Sequence, residues 1–129
     1  MPPRSDEDLA EAWHDLMGRY HRALCVLDRE LLNQHHISAS DFEVLQQLYG
    51  APKHTMRMHE LGDNVHLTQS ALSRLIARLE RDGLVERCMC PDDRRSVMTS
   101  ITPEGVESYR AAKPTQRAIL REQATSSSA

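Results

Sequence analysis

Long apolar runs, aromatic side chains, cysteines and enzyme signatures are all scarce in this chain. The longest apolar stretch runs from Ala23 to Leu27, far short of the roughly 20 residues a membrane-spanning helix needs. No membrane partner is expected. The N-terminus, Met-Pro-Pro-Arg-Ser-Asp-Glu-Asp, has no signal-peptide character, so a cytoplasmic protein is expected. The three cysteines, Cys25, Cys88 and Cys90, make an odd number without framework spacing, which points to reduced thiols rather than disulfides. Aromatics make up 4% of the residues (Trp13, Tyr20, Phe42, Tyr49 and Tyr109), so aliphatic side chains and Met must fill the core. No GxSxG, P-loop, dinucleotide fingerprint or HExxH occurs, and an enzyme is not expected.

An excess of basic charge is also missing. The net charge is −3, and the acid is concentrated at one end: residues 1–52 carry 4 basic and 9 acidic side chains, residues 53–95 carry 8 and 7, and residues 96–129 carry 4 and 3. A nucleic-acid partner needs a local basic face rather than a basic total, so this distribution leaves such a partner open.

What is present is a chain of 129 residues, the size of one domain with a substantial core. Trp13, Met17, Tyr20, Leu24, Leu27 and Leu31 follow at steps of 4, 3, 4, 3 and 4, the seam of a long helix of heptad type. One short domain has difficulty covering so long a stripe, and a helix from a second copy would cover it. Ser40-Asp-Phe-Glu43 reads as a capping box, with Phe42, Leu45 and Leu48 on the helix it opens and Gly50-Ala-Pro52 ending it. A short helix is expected from about Met58 to Asn64, with Met58, Leu61 and Val65 facing inward. Thr68 is the expected N-cap of the next helix. There Leu72, Leu75, Ile76 and Leu79 form a buried stripe opposite Ser70, Arg74, Ala77, Arg78 and Arg81. Gly83 suits a positive φ just beyond its end.

Leu84–Cys90 and Ser96–Thr102 read as two strands joined by the turn Pro91-Asp-Asp-Arg-Arg95. Thr102-Pro103-Glu104 opens a last helix, which Pro114 is expected to kink or restart. The tail from Thr125 to Ala129 is Ser-rich and expected to fray. The fold class is therefore mainly α with a small β-hairpin (α+β), in the layout of a winged helix-turn-helix.

In that layout the second helix of the pair enters the major groove of double-stranded DNA. The expected reading set is Thr68, Gln69, Ser70, Ser73, Arg74 and Arg78. Gln suits adenine, Arg suits guanine, and Thr68 and Ser70 lie where a helix N-terminus can meet a phosphate. Arg94 and Arg95 at the hairpin tip are placed to enter a narrow minor groove, with Asp93 holding a neighbouring guanidinium. The seven histidines are His14, His21, His35, His36, His54, His59 and His66. They include no HxxxH pair, and the chain has no CxxC, so no metal site is expected. Cys25, Cys88 and Cys90 are weighed as redox or metal sensors against simple packing, and Trp13 and Tyr20 as pocket lining against interface packing.

Residues 40–105 resemble the MarR (multiple antibiotic resistance regulator) family. The resemblance is carried by Asp41-Phe-Glu-Val-Leu-Gln-Gln-Leu48, His59-Glu-Leu61, Leu67-Thr-Gln-Ser-Ala-Leu-Ser-Arg-Leu75, Arg78-Leu-Glu-Arg-Asp-Gly-Leu-Val85, Asp92-Asp-Arg-Arg95 and Ile101-Thr-Pro-Glu-Gly105. It implies a homodimer with intertwined terminal helices, a near-palindromic operator bound most often to repress, and a small phenolic or aromatic effector rather than a resident cofactor. On that basis residues 1–36 are expected to be a dimerisation helix, residues 37–102 the DNA-binding region, and residues 103–129 a second dimerisation segment. A winged-helix module that binds protein and no longer reads DNA is the competing expectation.

Overall fold

The structure, a computed structural model, describes residues 5–90 and 93–127; for residues 90, 93–96, 126 and 127 it describes the backbone alone. Five helices and three strands follow in the order α1 (Asp6–His35), α2 (Ala39–Gly50), β1 (Thr55–Arg57), α3 (Met58–Val65), α4 (Gln69–Arg81), β2 (Val85–Cys90), β3 (Asp93–Ile101) and α5 (Pro103–Ser127). A short 3-10 turn over Pro52–His54 leads from α2 to β1. The mainly α architecture with a small wing is the one expected.

Local chemistry sets most boundaries. Ser5 caps α1 by accepting from the Asp8 N–H, and Asp6, Glu7 and Asp8 crowd its first turn, where negative charge suits the helix dipole. His36 ends α1 in the left-handed region, with φ 62°. Thr68 caps α4 as expected: its Oγ1 accepts from the Ala71 N–H at 3.2 Å. Gly83 has φ +82°, and the chain turns there into β2. The Thr102 hydroxyl accepts from the Gly105 N–H at 3.0 Å and donates to the Gly83 carbonyl at 2.6 Å. One residue thus caps α5 and ties it to the end of α4.

Four expectations are corrected. The capping box of α2 is Ser38 with Asp41, not Ser40 with Glu43: Asp41 N donates to Ser38 Oγ, and Ser38 N donates to the Asp41 carboxylate. Both registers satisfy the same sequence rule, and the earlier one puts Ile37 and Phe42, both buried, at the two positions of a hydrophobic staple. The sheet has three strands in the order β1-β3-β2, because Thr55–Arg57 pairs antiparallel with β3; Thr55 and Ser100 hydroxyls meet at 2.7 Å across that pair. β3 begins at Asp93, not Ser96, with Cys90 paired to Asp93 beyond an irregularity at Met89/Cys90. Finally, α5 runs unbroken through Pro114 and on to Ser127. Pro114 is exposed, and its missing N–H costs the helix one bond. The helix packs along α1, and the adjacent Thr115 hydroxyl lies 2.9 Å from a His35 ring nitrogen, so tertiary contact supports its continuity.

The core sits where α2, α3, α4, the sheet and α5 meet, around fully buried Phe42, Leu45, Leu61, Leu72, Ile76 and Leu79. The long seam of α1 divides. Leu31 is fully buried and Leu24 and Leu27 pack beside the core, whereas Trp13, Met17 and Tyr20 are 61, 48 and 66% exposed.

Gly105 marks a tight point in this packing. A Cβ there would press on the Leu84 carbonyl oxygen and lie 2.7 Å from Ile101 Cγ1. Gly105→Ala is expected to lower unfolding free energy by about 1–3 kcal/mol, as overpacking does, read as a drop in urea midpoint. An unchanged midpoint would show that α5 and β2 can move apart freely.

Candidate nucleic-acid interface

Helix α3, the residues 66–68 and α4 form a helix-turn-helix. His66 ends α3 with φ 59°, Leu67 N donates to the Gly62 carbonyl at 3.1 Å, and Thr68 starts α4 at once. The buried stripe Leu72, Leu75, Ile76 and Leu79 sets how α4 is rolled. It leaves Gln69, Ser70, Ser73, Arg74, Ala77 and Arg81 exposed, with Thr68 exposed at the N-terminus. The structure therefore groups five of the six expected helix residues, Thr68, Gln69, Ser70, Ser73 and Arg74, on the open surface.

Arg78 differs. Its two terminal nitrogens donate to the two carboxylate oxygens of Asp41 at 2.8 and 2.7 Å. The Asp41 side chain is fully buried and that of Arg78 is 42% exposed. The hydrogen bond to Asp41 raises the Arg78 pKa above its ordinary value, against a smaller opposing effect of burial. A bidentate pair of this kind fixes direction as well as distance. Arg78 thus has an internal partner that the sequence reading did not provide for. It anchors α4 to the first turn of α2.

The other flank of α4 is tied to the wing. Glu80 accepts from Arg87 Nη2 at 2.9 Å, from Arg87 Nε at 3.2 Å and from the Arg87 backbone N–H at 3.3 Å. Arg87 side-chain hydrogen bonding holds the Glu80 carboxyl below its ordinary pKa. Nearer the N-terminus of α4, the Gln69 amide lies over Gly62, where any Cβ would collide with it. Arg57 and Arg87 face the gap between α4 and the wing and were not expected as functional residues. Alternation along β2 was a usable sign for Arg87; nothing local marked Arg57.

The expected wing-tip residues are only partly visible. Asp93, Arg94 and Arg95 lie on β3 beside the tip, but their side chains fall outside the described residues, as does that of Cys90. Cys25 and Cys88 are exposed free thiols, and Cys25 Sγ lies 3.6 Å from His21 Nε2 on α1. Among the described residues no three His, Cys, Asp or Glu side chains cluster as a metal site, and no helix is long and apolar enough to cross a membrane.

The Arg78–Asp41 pair has a measurable consequence. Arg78→Ala leaves a fully buried carboxylate without its cation, and the expected loss is about 2–4 kcal/mol in unfolding free energy, scaled below a fully buried pair because Arg78 reaches solvent. A combined Asp41→Asn and Arg78→Met replacement, which keeps an acceptor for the Ser38 N–H, should recover part of that loss. A single-variant loss under about 0.5 kcal/mol, the range of an exposed pair, would contradict the anchoring role.

Comparison with known proteins agrees with this geometry. Residues 37–97 match the model of the MarR family. Over 77 residues the chain is 40% identical to the HTH-type transcriptional regulator YsmB of Bacillus subtilis, covering 60% of this chain and 51% of that protein. It is 28% identical over 85 residues to the homoprotocatechuate degradative operon repressor of Escherichia coli, covering 66% of this chain and 56% of that protein. The chain thus spans about half the length of the curated relatives it matches. Among solved structures, Sco3205, a MarR family transcriptional regulator from Streptomyces coelicolor in complex with DNA, superposes with a TM-score of 0.84 at 28% identity, over 95% of this chain and 77% of that one. These matches are transcription regulators, not enzymes. With its helix-turn-helix and its wing, the chain shares the fold of Sco3205, and its residues 37–97 match the MarR family.

Proposed function

We propose that this chain is a cytoplasmic transcription regulator that binds a near-palindromic operator in double-stranded DNA as a homodimer and represses until a small effector arrives. The observation that carries the reading is the open face of α4. Thr68, Ser70 and Arg74 are exposed together on a helix fixed by Asp41 from behind, with a wing beside it. Two arginine-tipped wings and two such helices would suit two half-sites one DNA turn apart, roughly 34 Å. A relative named a repressor and a DNA-bound neighbour support the same reading.

The dimer part rests on α1. Trp13, Met17 and Tyr20, together with Leu9 and Leu16, are about half or more exposed, and large apolar side chains in such a row mark an interaction surface. A second copy would cover them with its own terminal helices, so that residues 1–36 and 103–129 frame a DNA-binding region at 37–102. The effector part rests on a cavity of about 270 Å³ lined by Tyr20, Leu24, Leu27, Ser40, His66 and Gln116. Apolar walls with a few polar groups suit a small phenolic or aromatic molecule.

Titration of the full chain against a duplex selected from a randomised pool tests this reading. Affinity is expected to fall steeply with salt, as counterion release requires. Arg95→Ala should weaken binding by about 1–3 kcal/mol, the range for loss of a groove contact, while Arg22→Ala leaves it unchanged. Equal affinities for the two variants would overturn the role of the wing. A chain that selects no duplex at low salt would overturn DNA binding and favour a protein-binding module.

A further inference from the structure

The gap between α4 and the wing is a site in its own right. It is a cavity of about 340 Å³, walled by Arg57 and His59 at the junction of β1 and α3, Gln69 and Ser73 on α4, and Arg87 on β2, with Met58 and Val97 between them. The five polar side chains can all donate hydrogen bonds. No carboxylate is in the wall: Glu60, Asp63 and Glu80 meet Arg57, His59 and Arg87 from outside it.

Position decides what such a donor set can hold. A helix in the major groove and a wing in the adjacent minor groove lie on either side of one sugar–phosphate strand. That strand must cross the space between them, and the space is this cavity. We propose that the cavity seats one backbone phosphodiester of the duplex, with Arg87 and Arg57 supplying charge and Gln69 and Ser73 supplying neutral donors. This inference rests on the DNA-binding reading and refines it. Gln69 and Ser73, expected at base edges, become backbone-positioning groups, and base reading narrows to Ser70 and Arg74.

Two features of the wall suit an anion better than a base edge. Arg87 is held in place by Glu80 through Nε and Nη2. A guanidinium has five N–H donors, so three remain for a phosphate, and the ordering cost is already met before binding. Gln69 and Ser73 are four residues apart and so share one flank of α4, the flank turned to the wing, and the Gln69 amide is laid back over Gly62.

The test compares the selected duplex of about 30 bp, long enough for two half-sites, with a scrambled duplex of equal length. Arg87→Gln is expected to weaken both by a similar factor and to lower the slope of log K against log salt by about 0.9 per binding site. Arg74→Ala should instead weaken the selected duplex far more than the scrambled one. Thermal unfolding of Arg87→Gln checks its fold. Should that variant misfold, the wild-type chain is titrated against selected duplexes carrying one neutral methylphosphonate each, and one position per half-site should reproduce the slope change. An unchanged slope, a loss confined to the selected duplex, or no sensitive methylphosphonate position overturns the phosphate seat while DNA binding stands. A wild-type chain that binds neither duplex removes the DNA-binding reading itself.

Discussion

The guanidinium of Arg78 and the buried carboxylate of Asp41 join α4 to the rest of the molecule. Asp41 caps α2 through the Ser38 N–H and accepts both Arg78 hydrogen bonds. The start of α2 and the second half of α4 therefore form one unit. Packing of Leu72, Leu75, Ile76 and Leu79 sets the roll of α4, but apolar contact tolerates small slides that a bidentate pair does not. On the opposite flank Glu80 and Arg87 fix the wing to the same helix. The Asp41 pair acts from a desolvated position, where removing one partner is costly. The Glu80 pair is partly exposed on both sides and sets direction more than stability. Helix, wing and the gap between them are thus presented as one preorganised surface, which would lower the ordering cost of the proposed duplex binding.

A second constraint comes from what the monomer leaves open. The first half of α1 contributes no fully buried residue, yet it carries Leu9, Trp13, Leu16, Met17 and Tyr20 on its surface. Leu24, Leu27 and Leu31 on the same seam turn into the core. The helix thus belongs to the core at one end and exposes a row of large apolar side chains at the other. The cavity lined by Tyr20, Leu24 and Leu27 lies at this transition, and Ser40 on its floor is the neighbour of Asp41. An effector held there would press on the same first turn of α2 that anchors α4, which gives the proposed response a short physical route.

Features that depend on neighbouring residues were legible in the sequence. Thr68, Gly83 and Thr102 act where their chemistry requires, and the stripes of α2 and α4 follow their periodicity. Features that depend on distant residues were not. Asp41 and Arg78 are 37 positions apart, and an arginine on a polar helix face gives no sign of a buried partner. Thr55–Arg57 is too short to show a strand period and exists because β3 offers an edge. Pro114 reads as a break, and only the contact of α5 with α1 explains why it is not one. The two overlapping capping boxes, Ser38 with Asp41 and Ser40 with Glu43, differ in what Ile37 buries, which local pattern cannot weigh. Gln69 lies over Gly62 and lines the gap beside the wing together with Ser73, surroundings that helix position alone does not reveal.

In the proposed dimer, two copies hold their α4 helices at the spacing of successive turns of a duplex. Pulsed dipolar spectroscopy measures this directly, with a spin label at Ala77, exposed on α4, in a chain whose three cysteines are replaced by serine. A label-to-label distance near one DNA turn, roughly 34 Å before allowance for the label arms, is expected. Absence of dipolar coupling at dimer-forming concentrations, or a distance that no pair of adjacent major grooves can accept, would contradict it.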